Sequence, residues 1–150
     1  MQRHKFIDVI ARYFNGANAG DAELMLSCFC DDITAYTTGI PPRVGNHAVV
    51  ELLIDLHPTR ARWTIDQAVV QEPEAVVEWS ALWTPPGASV EVLTRGVDWF
   101  VFENEKIKEI REYADFGLSP ESPSVHELLQ FPYHSRGYPL ETTLDSKLPN

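Results

Sequence analysis

The run from Gly96 to Asp115 leaves the chain few choices. Val97-Asp98-Trp99-Phe100-Val101-Phe102 is aromatic and β-branched, and Lys106-Ile107-Lys108-Glu109-Ile110-Arg111-Glu112-Tyr113 alternates apolar and charged residues. Both are strand patterns, and Asn104 with its acidic neighbours supplies a tight turn between them. Closing the hairpin with Phe102 near Ile107 sets Asp98 opposite, or nearly opposite, Glu112. Side chains alternate faces along a strand, so Asp98, Phe100 and Phe102 share one face with Ile110, Glu112 and Ala114. Two carboxyls then lie side by side among aromatic rings, which costs free energy unless they share a proton or find donors.

The rest of the chain supplies a domain around that hairpin. It has 150 residues, of which 44% are hydrophobic and 11% aromatic, enough for one packed core. The net charge of −10 argues against nucleic acid and against an anionic membrane surface. No apolar run approaches the ~20 residues that span a bilayer. The basic N-terminus leads into an amphipathic pattern rather than an apolar signal segment, so a cytoplasmic location is expected. Cys28 and Cys30 are too close on one element for an ordinary disulfide and read as reduced core thiols.

Lys5 to Ala17 has helical periodicity with Phe6, Ile7, Ile10, Tyr13 and Phe14 on one face, stopped at Asn18-Ala19-Gly20. Asp21 caps a second helix that carries Leu24, Met25, Cys28 and Phe29 and ends at Asp31-Asp32. A short strand is expected over Ile33 to Thr38, a loop over Gly39 to Gly45, and a third helix capped by Asn46 and closed by His57-Pro58. The period then changes to two: strands over Trp63 to Val70, Ala75 to Thr84 and Val90 to Phe102, then the closing strand of the hairpin. Val77, Trp79, Ala81 and Trp83 share a face. Helices followed by antiparallel strands predict an α+β domain with three N-terminal helices on one face of a curved, mostly antiparallel sheet. Residues 1–116 form this domain. Residues 117–150 are rich in proline and aromatics, with one short helical turn over Ser124 to Gln130, and are expected to lie over the domain or a partner subunit.

Ala11-Arg12-Tyr13-Phe14, Gly20-Asp21-Ala22-Glu23, Phe29-Cys30-Asp31-Asp32-Ile33-Thr34 and Pro41-Pro42-Arg43-Val44-Gly45, with the closing hairpin, resemble the SnoaL-like group of the nuclear transport factor 2-like superfamily. The resemblance covers roughly residues 5 to 116. It implies a cone: a strongly bent, cystatin-like mixed sheet wrapped on a long helix around an apolar pocket. Members of the group include isomerases, dehydratases, polyketide cyclases, epoxide hydrolases and non-catalytic binding domains, so the fold alone does not give a reaction.

Ketosteroid isomerases in this group place oxyanion-hole groups where Tyr13 and Asp98 stand here. Their first-strand aspartate base corresponds to Thr37, or Thr38 if the loop shifts, and a hydroxyl cannot act as that base near neutral pH. Glu112 stands where the isomerases have a small apolar residue, which implies a carboxylate moved across the pocket. Arg111-Glu112-Tyr113-Ala114-Asp115 is similar to a last-strand segment of limonene epoxide hydrolases, but their Arg-x-Asp pair has no counterpart in Val76-Val77-Glu78-Trp79-Ser80. Phenazine-pathway members also carry an Arg-Glu dipeptide on the last strand.

Asp98, Glu112 and Tyr13 are therefore the candidate catalytic residues. One carboxyl would be protonated and the other a base; Tyr13 would donate to a substrate oxygen. In the competing arrangement the strand face is reversed, Glu112 is solvated, and Tyr13 is a core residue. Trp79, Trp83, Phe100, Thr37, Ile110 and His57 are candidates to line a pocket for a flat apolar ligand. Tyr36 should face away from it, and His47 should lie on the surface. No metal-ligand spacing, phosphate loop or nucleophile motif is present, so neither a metal nor a cofactor is expected. The expected activity is acid–base chemistry of isomerase, dehydratase or cyclase type on a hydrophobic, cyclic small molecule. The alternatives are a non-catalytic ligand-binding domain and, third, an epoxide hydrolase. Val97, Trp99 and Val101 form an apolar stripe on the outer face of the long strand, which suggests a homodimer.

Overall fold

A computed structural model describes residues 3–114 and 134–137. Helix α1 (Lys5–Ala19) and helix α2 (Ala22–Cys28) are followed by strand β1 (Phe29–Thr37), strand β2 (Arg43–Val44) and helix α3 (Asn46–Leu56). A 3-10 turn (His57–Thr59) leads into strands β3 (Arg62–Gln71), β4 (Glu74–Trp83), β5 (Val92–Glu103) and β6 (Lys106–Ala114). The strands form one six-stranded sheet in the order β2-β1-β6-β5-β4-β3. Only the β1–β6 pair is parallel, so the α+β sheet is mixed and mostly antiparallel, and it is strongly curled without closing.

The hairpin has the expected register. Phe102 pairs with Ile107, Phe100 with Ile110 and Asp98 with Glu112. Asn104 and Glu105 make the turn in the left-handed region, at φ 50 and 62. A bulge between Val101 and Phe102 leaves the two strands with unequal counts, yet the face shared by Asp98, Phe100, Ile110 and Ala114 is buried. Helix α1 lies across this face. Phe6 stacks on Phe102 with ring centroids 3.9 Å apart, and Tyr13 meets Phe29 edge-on at 5.1 Å. Asn18, at the end of α1, ties the helix to the first turn of the sheet's far edge. Its amide donates to the Trp63 carbonyl at 2.9 Å and accepts from the Trp63 N–H at 2.7 Å.

Four local expectations are corrected. The second helix ends at Cys28, and Asp31 and Asp32 belong to β1, which begins four residues earlier than Ile33. Parallel pairing of Phe29 with Ile107 draws the chain into the sheet there. The loop before α3 contains β2, in which Arg43 and Val44 pair with Ala35 and Thr34. Asn46 is the first helical residue rather than the cap; Gly45 takes that place, and its N–H donates to the Ile33 carbonyl at 2.8 Å. Cys28 is buried, but Cys30 is only half-buried, and both are free thiols. Asp21 does cap α2, accepting from the Leu24 N–H at 3.0 Å.

The outer face of the sheet is mixed. Val97, Trp99 and Val101 are half-buried; the Arg111 guanidinium lies 4.9 Å from the centre of the Trp99 ring, and the Trp99 indole N–H donates to Glu74 at 2.9 Å. Further along this face Asp66, Ser80 and Arg95 form a buried polar cluster. Ser80 donates to Asp66, and Arg95 Nη1 lies 3.1 Å from the Ser80 hydroxyl and 3.7 Å from Asp66. No helix among the described residues is long and apolar enough to cross a membrane. The expected helical turn at 124–130 and the covering role of 117–150 fall almost wholly outside the described residues.

Asn18→Leu should lower stability by about 1–3 kcal/mol, because the Trp63 N–H and carbonyl lose their partner on an edge strand. Urea unfolding followed by tryptophan fluorescence measures it; an unchanged midpoint would show that the Asn18 bridge does not hold α1 to β3.

Candidate functional site

Between α1, α3 and the inner face of the sheet lies a cavity of about 240 Å3. Helix α3 contributes Val49, Leu52, Leu53 and Leu56, spaced so that each turn presents an apolar side chain. Strands supply Ala35, Thr37, Trp63, Ala81, Trp83 and Ile110. Among the described residues three ionisable side chains border this apolar space: Tyr13, Arg43 and Glu112.

The sheet register explains how the polar groups meet. Thr37 of β1, Glu112 of β6, Asp98 of β5 and Val77 of β4 are successive cross-strand partners in one row. Directly paired side chains in such a row stand roughly 5 Å apart. Glu112 is held from behind by Thr38, whose N–H and hydroxyl both donate to the Glu112 carbonyl, at 3.3 and 3.1 Å. Asp98 sits deeper and is 2% exposed. Its Oδ1 accepts from the Trp79 indole N–H at 2.8 Å. Gly96 makes that bond possible: a Cβ there would stand 2.5 Å from the Trp79 ring, so only glycine lets the indole lie against β5.

Burial raises the Asp98 carboxyl well above its ordinary value; the charge of Glu112 adds to this, and the Trp79 N–H opposes it. Burial pushes Glu112 up to about 7. Tyr13 is raised well above its ordinary range, by burial first and then by the two carboxylates, so it stays a neutral hydrogen-bond donor. Among the described residues its hydroxyl has no protein partner, and Tyr13 borders the cavity. The arrangement is two neighbouring carboxyls that both hold their protons more tightly than an exposed acid, beside a neutral phenol donor. The described residues contain no cluster of three or more metal-ligating side chains.

Not all candidate residues border the cavity. Tyr13, Thr37, Trp83, Ile110 and Glu112 do; Asp98, Trp79 and Phe100 form the layer behind its wall. The Trp83 indole is itself occupied, donating to Thr94 at 2.9 Å. His57 is placed elsewhere. It is exposed and packs over Gly20, where a Cβ would meet its ring at 2.9 Å, because the 3-10 turn carries it away from the cavity toward the end of α1. Tyr36 faces outward and His47 is exposed, as alternation and helix position predict. Glu112 is not across the pocket from Thr37 but beside it, since parallel β1–β6 pairing makes them neighbours. Sequence reasoning passed over Arg43 because Pro41-Pro42 reads as loop; its place on β2, paired with Ala35, puts it on the cavity face.

Because both carboxyls are raised, the native chain holds protons that the unfolded chain has released. For Glu112 this window runs from the ordinary 4.5 to about 7. Within it the unfolded state binds fewer protons, so stability falls as pH rises; the contribution is fully present below 4.5 and lost as pH passes 7. Glu112→Gln should therefore gain stability relative to the parent as pH rises from 4.5 to 7. Urea midpoints across that range measure it, and parallel curves for the two proteins would contradict the buried placement of Glu112.

The profile of the SnoaL-like domain matches residues 10–110. No curated protein matches the chain by sequence. Among solved structures, a protein of unknown function with a cystatin-like fold from Methylobium petroleophilum PM1 is 23% identical, with TM-score 0.66 over 100% of this chain and 99% of its own. The epoxide hydrolase/cyclase-like enzyme SalBIII, of pyran ring formation in the polyether salinomycin, is 20% identical, with TM-score 0.67 over 75% of this chain and 92% of its own. A protein with a ketosteroid isomerase-like fold from Catenulispora acidiphila DSM 44928, in complex with trimethylamine, is 12% identical, with TM-score 0.67 over 73% of this chain and 86% of its own. At these identities the likeness is one of fold. With the family profile running from within α1 to within β6, the chain belongs to the SnoaL-like domain family.

Proposed function

We propose that the protein is a cofactor-independent acid–base enzyme that moves a proton next to a carbonyl group of a hydrophobic, cyclic small molecule. The observation that carries this reading is Glu112: a carboxyl with a pKa of about 7 on the wall of an apolar cavity, in register with Thr37. Thr37 matches the strand position at which ketosteroid isomerases of this group hold their base. A carboxylate one strand over stands about 5 Å away, so it reaches much the same region of the cavity.

In this reading the substrate lies against Trp83, Ile110 and the leucines of α3. Glu112, ionised, takes a proton from the carbon beside the carbonyl. A base is most effective when its pKa lies near the working pH. Electron density then moves onto the carbonyl oxygen, which Tyr13 stabilises by donating a hydrogen bond. Asp98 stays protonated behind the wall and keeps a second negative charge out of the site. Glu112 returns the proton at another position for isomerisation; for cyclisation the enolate carbon attacks a second carbonyl of the same substrate, whose C=O π bond breaks, and Glu112 gives the proton to the resulting alkoxide.

The test is solvent-deuterium uptake at the α-carbon of 2-tetralone, an apolar bicyclic ketone, followed by NMR. The protein should accelerate uptake, with a rate that rises as pH passes 7. Glu112→Gln should lower the catalysed rate at least 100-fold and Tyr13→Phe about 10-fold or more. A folded Glu112→Gln protein with full activity, or no acceleration by the parent, would remove the proposal.

We also propose that two copies associate through the outer sheet face. Val69, 69% exposed, lies in one cross-strand row with Val76 and Trp99, beside Val97 and Val101, and such a continuous apolar strip is what an isologous interface buries. Sedimentation should give a dimer for the parent and a monomer for the Val69→Glu/Val97→Glu double variant with an unchanged circular dichroism spectrum. A monomeric parent would refute the interface.

A further inference from the structure

Arg43 is the charged group for which the cavity has no internal use. Strand β2 pairs it with Ala35, so it rises from the same sheet face as Thr37 and Glu112. It borders the apolar cavity, and its Nε is buried without a hydrogen-bond partner. Among the described residues its side chain makes neither a hydrogen bond nor an ion pair, although the chain carries a net charge of −10. A buried guanidinium donor left unmatched is costly in a free protein and favourable once an anion arrives. Glu112 is the one carboxyl among the described residues that borders the same cavity, and it makes no ion pair with Arg43.

We propose that Arg43 is a specificity-determining residue that binds a carboxylate on the substrate, so that the natural ligand is an apolar ring or chain bearing an acid group. The proposal rests on the acid–base reading for what happens next, since the carboxylate anchored at β2 orients the reacting carbon toward Glu112. Binding itself needs no chemistry. Arginine suits the role because its planar fork matches a carboxylate in two parallel bonds, whereas lysine offers a point charge. The apolar wall supplies affinity for the ring, and the guanidinium supplies the discrimination between an acid and its neutral analogue.

Calorimetric titration with 1-naphthoate and with 1-naphthamide, which have nearly the same shape and differ in charge, tests the assignment. The full-length protein should bind naphthoate about tenfold tighter than naphthamide. Arg43→Met, which keeps most of the side-chain stem, should erase that preference while still binding naphthamide. Arg43→Lys should keep part of it. Equal affinities for the two probes in the parent, a preference that survives Arg43→Met, or no binding of naphthoate would overturn the proposal. The 2-tetralone exchange rate reports on Glu112 and the naphthoate preference on Arg43, so the two readings can fail separately.

Discussion

The structure turns on the cost of burying two carboxyls side by side. Asp98 and Glu112 are cross-strand partners in the centre of the sheet, beneath a helix that brings aromatic rings rather than cations. Asp98 is 2% exposed and Glu112 faces an apolar cavity, and among the described residues no arginine or lysine forms an ion pair with either. Both protons are consequently held more tightly than in an exposed carboxyl, and ionising one makes the other harder to ionise. Gly96 and Trp79 set how far this goes. Without a Cβ at 96 the indole reaches Asp98 with its single N–H, which is enough to satisfy one oxygen but not to hold a full negative charge. The pair therefore differs by depth, Asp98 behind the wall and Glu112 on it.

Much of this was legible because strand alternation is a strict rule. Once Phe102 is paired with Ile107, the meeting of Asp98 and Glu112 follows from counting residues, and the helical period of Lys5–Ala19 places Tyr13 on the inner face with Phe6 and Ile10. What stayed hidden depended on partners distant in sequence. Nothing local announces that Phe29 leaves the helix to pair with Ile107, so Asp31 and Asp32 look like a helix end. Arg43 looks like loop until Ala35 is seen beside it. His57, at a helix end, could have turned either way, and the 3-10 turn with Gly20 beneath it decides the matter. Asp66, Ser80 and Arg95 give no joint signal because a bulge between Ile65 and Gln67 shifts the count that would have aligned them. A glycine inside a strand was the one available hint of close approach, at Gly96.

The β1–β6 register bears most directly on chemistry. Comparison by sequence treats Thr37 and Glu112 as unrelated positions, one lacking a base and the other having gained one. In the folded chain they are neighbours on parallel strands. A carboxyl on β6 instead of β1 has a consequence beyond position, because β6 also pairs with β5 and so with Asp98. A base on β1 would be separated from Asp98 by a strand. On β6 it is adjacent, and each proton that Glu112 loses raises the affinity of Asp98 for its own. In the proposed reaction, ionising Glu112 therefore makes Asp98 harder to ionise, which opposes two negative charges side by side. Arg43 completes the balance from the other side. Among the described residues Arg43 is the one basic side chain on the cavity wall, which is the polarity that an acid-bearing ligand requires.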